Sequence, residues 1–423
     1  MRKLKHMLER IVPEPLLERL LPLYHLSLAY LGAVFYTHPA RKLLVIGVTG
    51  TKGKSSTAEM LNAIFEEAGY TTAVLNSIRI KTGAKSEPNL MRMTMPGRFF
   101  IQKFLFDAVR AGCTVAILEM TSQGAAQHRH RFIDLDALIF TNLAPEHIES
   151  HGSYEEYANA KFEIGREFAR SKKRPRIMVA NADDEQGVRY LSLSVENVLP
   201  FSLSACKPWS ADERGGHFNF DGLDISINLP GEFSLKNALA AATTSQALGI
   251  QSTVIMKALG KIRTIPGRAE RIEAGQNFTV VIDYAHTPDS LEALYIAYAK
   301  LRKICVLGAT GGGRDMWKRP VMGALAAQYC ASVILTNEDP YDENPRMIAD
   351  EVASGMKRKP EIVMDRREAI RHALSRARAG DAVLITGKGT DPCICGANGK
   401  QTPWSDARVA REELARMLGA SEV

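Results

Sequence analysis

The chain has 423 residues, 45% hydrophobic and 24% charged, with a formal net charge of +7. That length exceeds one ordinary core, so two or three domains are expected, and the composition is that of a soluble globular protein. The small basic excess suits an anionic substrate such as a nucleotide or sugar phosphate, or only a solvated surface. No basic stripe interleaved with aromatics is present, which argues against nucleic acid as a partner. Of the six cysteines, only Cys393 and Cys395 lie close together. Neither a zinc ribbon nor a disulfide framework is indicated, and a reduced, cytoplasmic setting is expected.

The first 40 residues form a unit of their own. A basic start (Arg2, Lys3, Lys5, Arg10) leads into Leu20–Tyr36, a run without formal charge. It is near the lower length limit of a spanning helix, and Pro22 and His25 interrupt its apolar character. No small-residue cleavage site marks a signal peptide. Two readings stand: a helix packed on the following domain, or a peripheral membrane contact through residues 16–36 at the inner face of the membrane.

Next comes a short apolar run, Leu43–Ile46, then Gly47-Val-Thr-Gly-Thr-Lys-Gly-Lys-Ser-Ser56, then a helical pattern with Met60, Leu61, Ile64 and Phe65 on one face. Strand, glycine-rich turn and helix form the context in which backbone N–H groups and a helix N-terminus face a phosphate. Lys54 adds charge and Ser55 can reach Mg²⁺. Val48 stands where the common P-loop spacing needs glycine, so a variant GTxGK[ST] loop fits better. Thr49, Gly50, Thr51, Lys52, Gly53, Lys54, Ser55 and Ser56 are the candidate nucleotide loop. The alternative is a glycine-rich βα turn that only packs.

Strand-like segments at Leu43–Val48, Thr114–Leu118, Ala137–Thr141 and Ile177–Ala180 alternate with helical patterns at 55–69, 97–111 and 153–170. This predicts a mostly parallel sheet with helices on its faces. Glu119 ends the second of these strands, where a carboxylate can hold Mg²⁺ beside the loop or cap a turn. After the third strand, His147 and His151 lie at i, i+4. The following glycine argues against a zinc helix, which leaves His147 for a Mg²⁺–phosphate site and His151 for a structural role. Ser153 with Glu156 predicts a capped helix start, and Lys161 on that helix reads from pattern alone as a surface lysine. Residues 200–230 suggest a small antiparallel addition, and residues 233–262 are helix-rich. Beyond Pro266-Gly267 a second alternating unit carries strands at Val280–Asp283, Ile304–Leu307, Ser332–Leu335 and Ala382–Thr386. The expected fold is therefore α/β: a P-loop-type central ATPase domain with a parallel sheet (41–265), then a C-terminal doubly wound, Rossmann-like domain (266–423), with a cleft between them.

Taken together, the motifs resemble the Mur ligase family, ATP-dependent amide-forming enzymes of peptidoglycan precursor synthesis. They are most similar to its third-residue-adding, UDP-N-acetylmuramoyl-dipeptide ligase branch. The resemblance spans roughly residues 43–412. It implies that the Gly50–Ser56 loop cradles ATP and that Glu119 and His147 stand near metal ions. It also implies that Lys161 is carbamylated and helps to hold a second Mg²⁺. Thr94, Met95, Thr121, Gln127 and Arg129 match acceptor-contact positions, with Met95 replacing one threonine of a pair. Asn237 matches an adenine-side residue, Arg268 an arginine near the ATP phosphates, and Asp283 and His286 belong to a signature, DYAHTP, beside the nucleotide. Arg314 matches the arginine that holds the incoming amino acid's carboxylate.

Two departures from the family pattern matter. Glu338, Asp339, Pro340 and Tyr341 replace a DNPR motif whose arginine reads the distal end of meso-diaminopimelate. Tyr341 cannot make a bidentate charged contact. Gly387 and Asp391 lie in a GKGTD stretch that replaces GKGHE, with a shorter acid that can still bind an ammonium group. This pattern points to lysine or another amino acid without the second carboxylate. The family's uridine-binding domain is not expected here: only about 40 residues, with the apolar run Leu20–Tyr36 among them, precede the loop, which suggests an acceptor held differently, such as a lipid-linked precursor. The implied chemistry is ligation through an acyl phosphate, by a monomer acting on small-molecule substrates. Folylpolyglutamate-synthase-like chemistry or a non-catalytic nucleotide-binding role are the alternatives.

Overall fold

The computed structural model describes residues 14–146 and 148–419; His147, a predicted metal-site residue, lies outside the described residues. Two sheets dominate. The first is built from β1 (Leu44–Thr49), β2 (Thr72–Leu75), β3 (Arg79–Thr82), β4 (Lys85–Pro88), β5 (Val115–Glu119), β6 (Ala137–Phe140), β7 (Ile177–Asn181) and β8 (Asn197–Phe201). Its strand order is β4-β3-β2-β5-β1-β6-β7-β8. Strands β2, β5, β1, β6, β7 and β8 run parallel, while β3 and β4 add an antiparallel edge.

β1 is central and buried on both faces, so it reads as a nearly continuous apolar run rather than an alternating one. Val45, Ile46 and Val48 are fully buried; each such side chain contributes about 1.5–3 kcal/mol through burial. The helix after the loop, Lys54–Glu67, turns Met60, Leu61, Ile64 and Phe65 into the core. They share a cluster with Ala238, Ala240, Ala241 and Ala242 of the helix Glu232–Ala247, whose small side chains let the two helices approach closely. A three-stranded antiparallel sheet of β9 (Trp209–Ala211), β10 (Gly216–Phe220) and β11 (Leu223–Ile227) covers this layer, as the turn-rich stretch predicts.

The second sheet contains β12 (Glu270–Arg271), β13 (Thr279–Asp283), β14 (Lys303–Leu307), β15 (Ser332–Leu335), β16 (Glu361–Ile362) and β17 (Ala382–Thr386), in the order β12-β13-β17-β14-β15-β16. All but β12 are parallel. The two sheets fall on either side of Gly267, and the C-terminal ends of β1, β5 and β6 in one and β13, β14, β15 and β17 in the other border a single cleft.

Two expectations are corrected or refined here. Cys305 on β14 is joined to Cys330 by a disulfide, although the scattered cysteines predicted none; the sheet brings together residues 25 positions apart. The apolar N-terminal run forms a helix, Glu14–Phe35, with Pro22 inside it. Its small residues Ala29 and Ala33 are buried, with Gly32 against Phe99. Tyr30 packs edge-on to Phe132 at 5.4 Å and Tyr36 lies 5.5 Å from Phe106. Among the described residues, no helix is long and apolar enough to cross a membrane.

Candidate active site

The nucleotide loop leaves β1 with Gly50 at φ +139° and Gly53 at φ +81°. At Gly50 a Cβ would stand 2.0 Å from Thr141 Oγ1, and at Gly53 one would stand 2.1 Å from Asn237 Oδ1. Both the backbone angle and the space therefore demand glycine. The loop is pinned from β6: Thr51 N–H donates to the Asn142 carbonyl (2.8 Å), Lys52 N–H to Asn142 Oδ1 (2.9 Å), and Thr141 Oγ1 to the Lys52 carbonyl (2.7 Å).

β5 sits on the other side of β1 and delivers Glu119. Its Oε2 accepts hydrogen bonds from Ser55 Oγ (2.9 Å) and Ser77 N–H (3.0 Å), and its Oε1 lies 3.8 Å from Lys54 Nζ. Lys54 Nζ also donates to the Thr51 carbonyl at 2.8 Å. Burial lowers the Lys54 pKa, with Glu119 opposing. Arg268 reaches over from beyond the first sheet: its Nη2 donates to Ser77 Oγ (2.9 Å) and Ser55 Oγ (3.2 Å), while its guanidinium lies 4.7 Å over the Tyr284 ring.

Lys161 is not the surface lysine its pattern suggested. The helix Tyr154–Phe168, capped by Ser153 Oγ accepting from Glu156 N–H (3.1 Å), carries it beneath the loop. There it is 3% exposed and donates to the Gly50 carbonyl at 2.6 Å. Burial, and then the positive Lys54 nearby, push its pKa well below the ordinary lysine value.

A cavity of about 1100 Å³ opens over this loop. Thr51 to Ser56, Glu119, Asn237, Arg268, Asp283 and His286 line it, as do Thr94 and Thr121 and the amino-acid candidates Arg314, Glu338, Asp339, Tyr341, Gly387 and Asp391. Thr49, Gly50 and Lys161 stand behind this wall. Met95 is not among the lining residues: its side chain is 3% exposed and packs in the hydrophobic cluster beneath the sheet, and its carbonyl accepts from Arg129. A thioether gains more from that burial than from facing solvent. Arg129 and Gln127 pair with each other at 2.8 Å and also lie off the cavity wall.

Sequence reading missed four residues on the wall. Glu146 lies 2.9 Å from His286 Nε2 and 3.3 Å from Lys52 Nζ. Lys318 is 4% exposed, and burial lowers its pKa against the pull of Glu146, Glu338 and Asp315. Glu149 faces Asp315; burial and that hydrogen bond raise its pKa. Arg92 comes from the loop before Thr94. For Lys318 the Lys318-Arg319-Pro320 run after Arg314 was an available signal; for Arg92 there was none. Behind the wall, Lys388 bonds Asp339 at 2.9 Å and Asp391 at 3.3 Å. Burial opposes its charge, but those carboxylates and Glu338 hold its pKa above the ordinary value.

Among the described residues, no three His, Cys, Asp or Glu side chains converge as a ready metal site. Ser55 and Glu119 still offer hard oxygen donors beside the loop, which suits Mg²⁺. That ion ordinarily takes one or two carboxylates and completes its shell with substrate phosphates and water.

A parallel sheet with this loop at its central strand, facing a second doubly wound sheet, defines a nucleotide-dependent two-domain enzyme. The family model of the Mur ligase middle domain matches residues 48–245, and that of the Mur ligase glutamate ligase domain matches 267–389. The chain is 36% identical to a UDP-N-acetylmuramyl-tripeptide synthetase of Roseiflexus sp. (strain RS-1), over 96% of this chain and 85% of that one. It is also 36% identical to a UDP-N-acetylmuramoyl-L-alanyl-D-glutamate–2,6-diaminopimelate ligase of Caldanaerobacter subterraneus subsp. tengcongensis, over 92% and 82%. A solved diaminopimelate ligase structure superposes with a TM-score of 0.61 at 27% identity, over 89% of this chain and 79% of that one. The folylpolyglutamate synthase of Mycobacterium tuberculosis shares the fold, with a TM-score of 0.70 at 17% identity over 94% and 96%. The chain belongs to the Mur ligase family of ATP-dependent amide-bond ligases.

Proposed function

We propose that this protein joins an amino acid to the terminal carboxylate of a muramoyl-peptide acceptor at the expense of ATP, in the cytoplasm and as a monomer. The observation that carries this reading is a single cavity that holds both the phosphate loop and a charged amino-acid pocket. The γ-phosphoryl group passes to an acceptor carboxylate oxygen, releasing ADP and leaving an acyl phosphate. The amine then attacks the acyl carbon, and the tetrahedral intermediate expels phosphate. Lys54, the loop N–H groups and Arg268 stabilise charge on the transferring phosphoryl group. Thr94 and Thr121 face the acceptor, Asn237, Asp283 and His286 the nucleotide, and Arg314 and Asp391 the amino acid.

Ser55 and Glu119 would hold Mg²⁺, which when bound neutralises phosphate charge. Lys161, whose charged form is disfavoured by burial and by the neighbouring Lys54, is suited to capture CO₂ as a carbamate and so add a third oxygen donor. The exposed face of Glu14–Phe35 would rest on an anionic membrane surface, bringing the cleft to a lipid-linked acceptor.

The test is phosphate release by the purified protein with ATP, Mg²⁺ and UDP-N-acetylmuramoyl-dipeptide across a panel of amino acids. Release that depends on one amino acid supports the reading. If ATP binds but no amino acid elicits release, the acceptor assignment fails.

A further inference from the structure

Arg92 belongs to the first domain, yet its side chain ends in the amino-acid pocket of the second. Its Nη2 lies 3.4 Å from Tyr341 Oη and 3.5 Å from Asp339 Oδ2, and its Nη1 meets Cys395 Sγ. Its Nε is buried without a hydrogen-bond partner among the described residues. The residue sits at φ +54°, a left-handed conformation unfavourable to a side chain of this kind. The Asn89 amide secures the loop by donating to the Asn76 carbonyl (2.7 Å) and the Met93 carbonyl (3.2 Å). A strained, tethered loop thus delivers one guanidinium across the cleft.

On the other side of Tyr341, the Arg314 guanidinium lies 5.1 Å over the ring. The pocket therefore presents two guanidinium groups, one at the ring face and one at the hydroxyl end. On the same cavity wall, Glu338 is 3% exposed; its Oε1 accepts from Thr310 Oγ1 at 2.8 Å and its Oε2 has no hydrogen-bond partner among the described residues. A buried carboxylate oxygen without a donor is costly and calls for a cationic group in the bound state. Paired guanidiniums with buried acids match a ligand that carries a carboxylate at each end and ammonium groups beside them. Tyr341 taken alone pointed to an amino acid without a second carboxylate; Arg92 supplies from the other domain the planar fork that Tyr341 lacks.

Resting on the ligase reading above, we propose that Arg92 is a specificity-determining residue that binds the distal carboxylate of a diamino-dicarboxylic amino acid. The test compares 2,6-diaminopimelate with lysine, which lacks only that carboxylate, in phosphate release by the full-length wild type, Arg92→Ala and Arg92→Lys. The wild type should prefer diaminopimelate. Arg92→Ala should reduce that preference at least about tenfold through the KM for diaminopimelate, and Arg92→Lys should fall between. Equal use of the two amino acids by the wild type would overturn the proposal. So would an equal loss on both in Arg92→Ala, or a loss confined to the KM of the acceptor. Calorimetric titration of both amino acids into the ADP-bound proteins separates the two claims. Arg92-dependent binding of diaminopimelate without phosphate release sinks only the ligase reading, whereas absence of binding sinks the Arg92 assignment.

Discussion

Lys161 Nζ donates a 2.6 Å hydrogen bond to the carbonyl of Gly50, joining the helix Tyr154–Phe168 to the glycine-rich loop that follows β1. The amine is buried next to Lys54, and both burial and that neighbouring charge favour its neutral form. Only a neutral amine adds to CO₂; the new N–C bond releases one proton and leaves a carboxylate-like group. Lys161→Ala should therefore cut ligase turnover by at least about 100-fold. Formate or acetate should restore part of it by filling the vacated site. ¹³C-bicarbonate should label the wild type with a carbamate resonance that is missing from the variant. Because protonation competes, the label should fade as pH falls through the lowered pKa. Neither rescue nor label would mean that Lys161 serves only as a tether.

Gly53 makes a sharper prediction about the loop itself. A methyl group there would sit 2.1 Å from Asn237 Oδ1, on a backbone at φ +81°. Gly53→Ala must move Asn237 or reshape the turn, and either change disturbs the nucleotide wall. ATP affinity measured by calorimetry should fall more than about tenfold, equivalent to roughly 1.4 kcal/mol. The far-UV circular dichroism should stay that of the wild type, because the loop lies outside the sheet. An unchanged affinity would show that the loop does not hold the phosphates.

How much of this was legible beforehand follows from the range of each signal. The alternation of β1, β5, β6 and β7 with helices was readable because buried parallel strands form short apolar runs, and the observed bounds differ from the expected ones by a residue or so. The loop was readable because its glycines, Lys54 and Ser55 are contiguous. Lys161 was not readable from pattern: nothing local distinguishes a lysine that faces water from one folded beneath a loop 111 residues away. The direction in which Met95 turns its side chain was unreadable for the same reason, since its aligned position says nothing about orientation. Arg92 and the Cys305–Cys330 pair depend wholly on tertiary placement. The N-terminal helix was left between two readings because an apolar run does not reveal which face is covered.

That helix now has a definite exposed face. Leu20, Leu23, Tyr24, Leu31, Val34 and Phe35 recur at helical spacing, and all are more than 40% exposed. The opposite face packs through Ala29 and Ala33. An apolar stripe of this kind, preceded in sequence by Arg2, Lys3, Lys5 and Arg10, suits the boundary of an anionic bilayer. Leu23→Glu with Leu31→Glu removes apolar area and adds negative charge at positions outside the core. The double variant should keep its melting temperature and lose at least about tenfold in co-sedimentation with phosphatidylglycerol vesicles. If the wild type does not sediment with such vesicles at low salt, the membrane reading is wrong and the stripe faces something else.

His130 should make the first domain sensitive to acid. It is 3% exposed, and burial, reinforced by Arg131 and His128, lowers its pKa to about 3 against a smaller opposing effect of the Gly124 backbone. An unfolded histidine titrates near 6.5, so between these values the unfolded chain binds the extra proton. Stability then rises with pH across that window and falls as the solution is acidified from 6.5 toward 3. At pH 5 this one residue should cost about 2 kcal/mol relative to pH 8. His130→Leu, which keeps an apolar filling and cannot titrate, should flatten that part of the curve in urea unfolding followed between pH 5 and 8. A variant as acid-sensitive as the wild type would place the proton uptake on other groups.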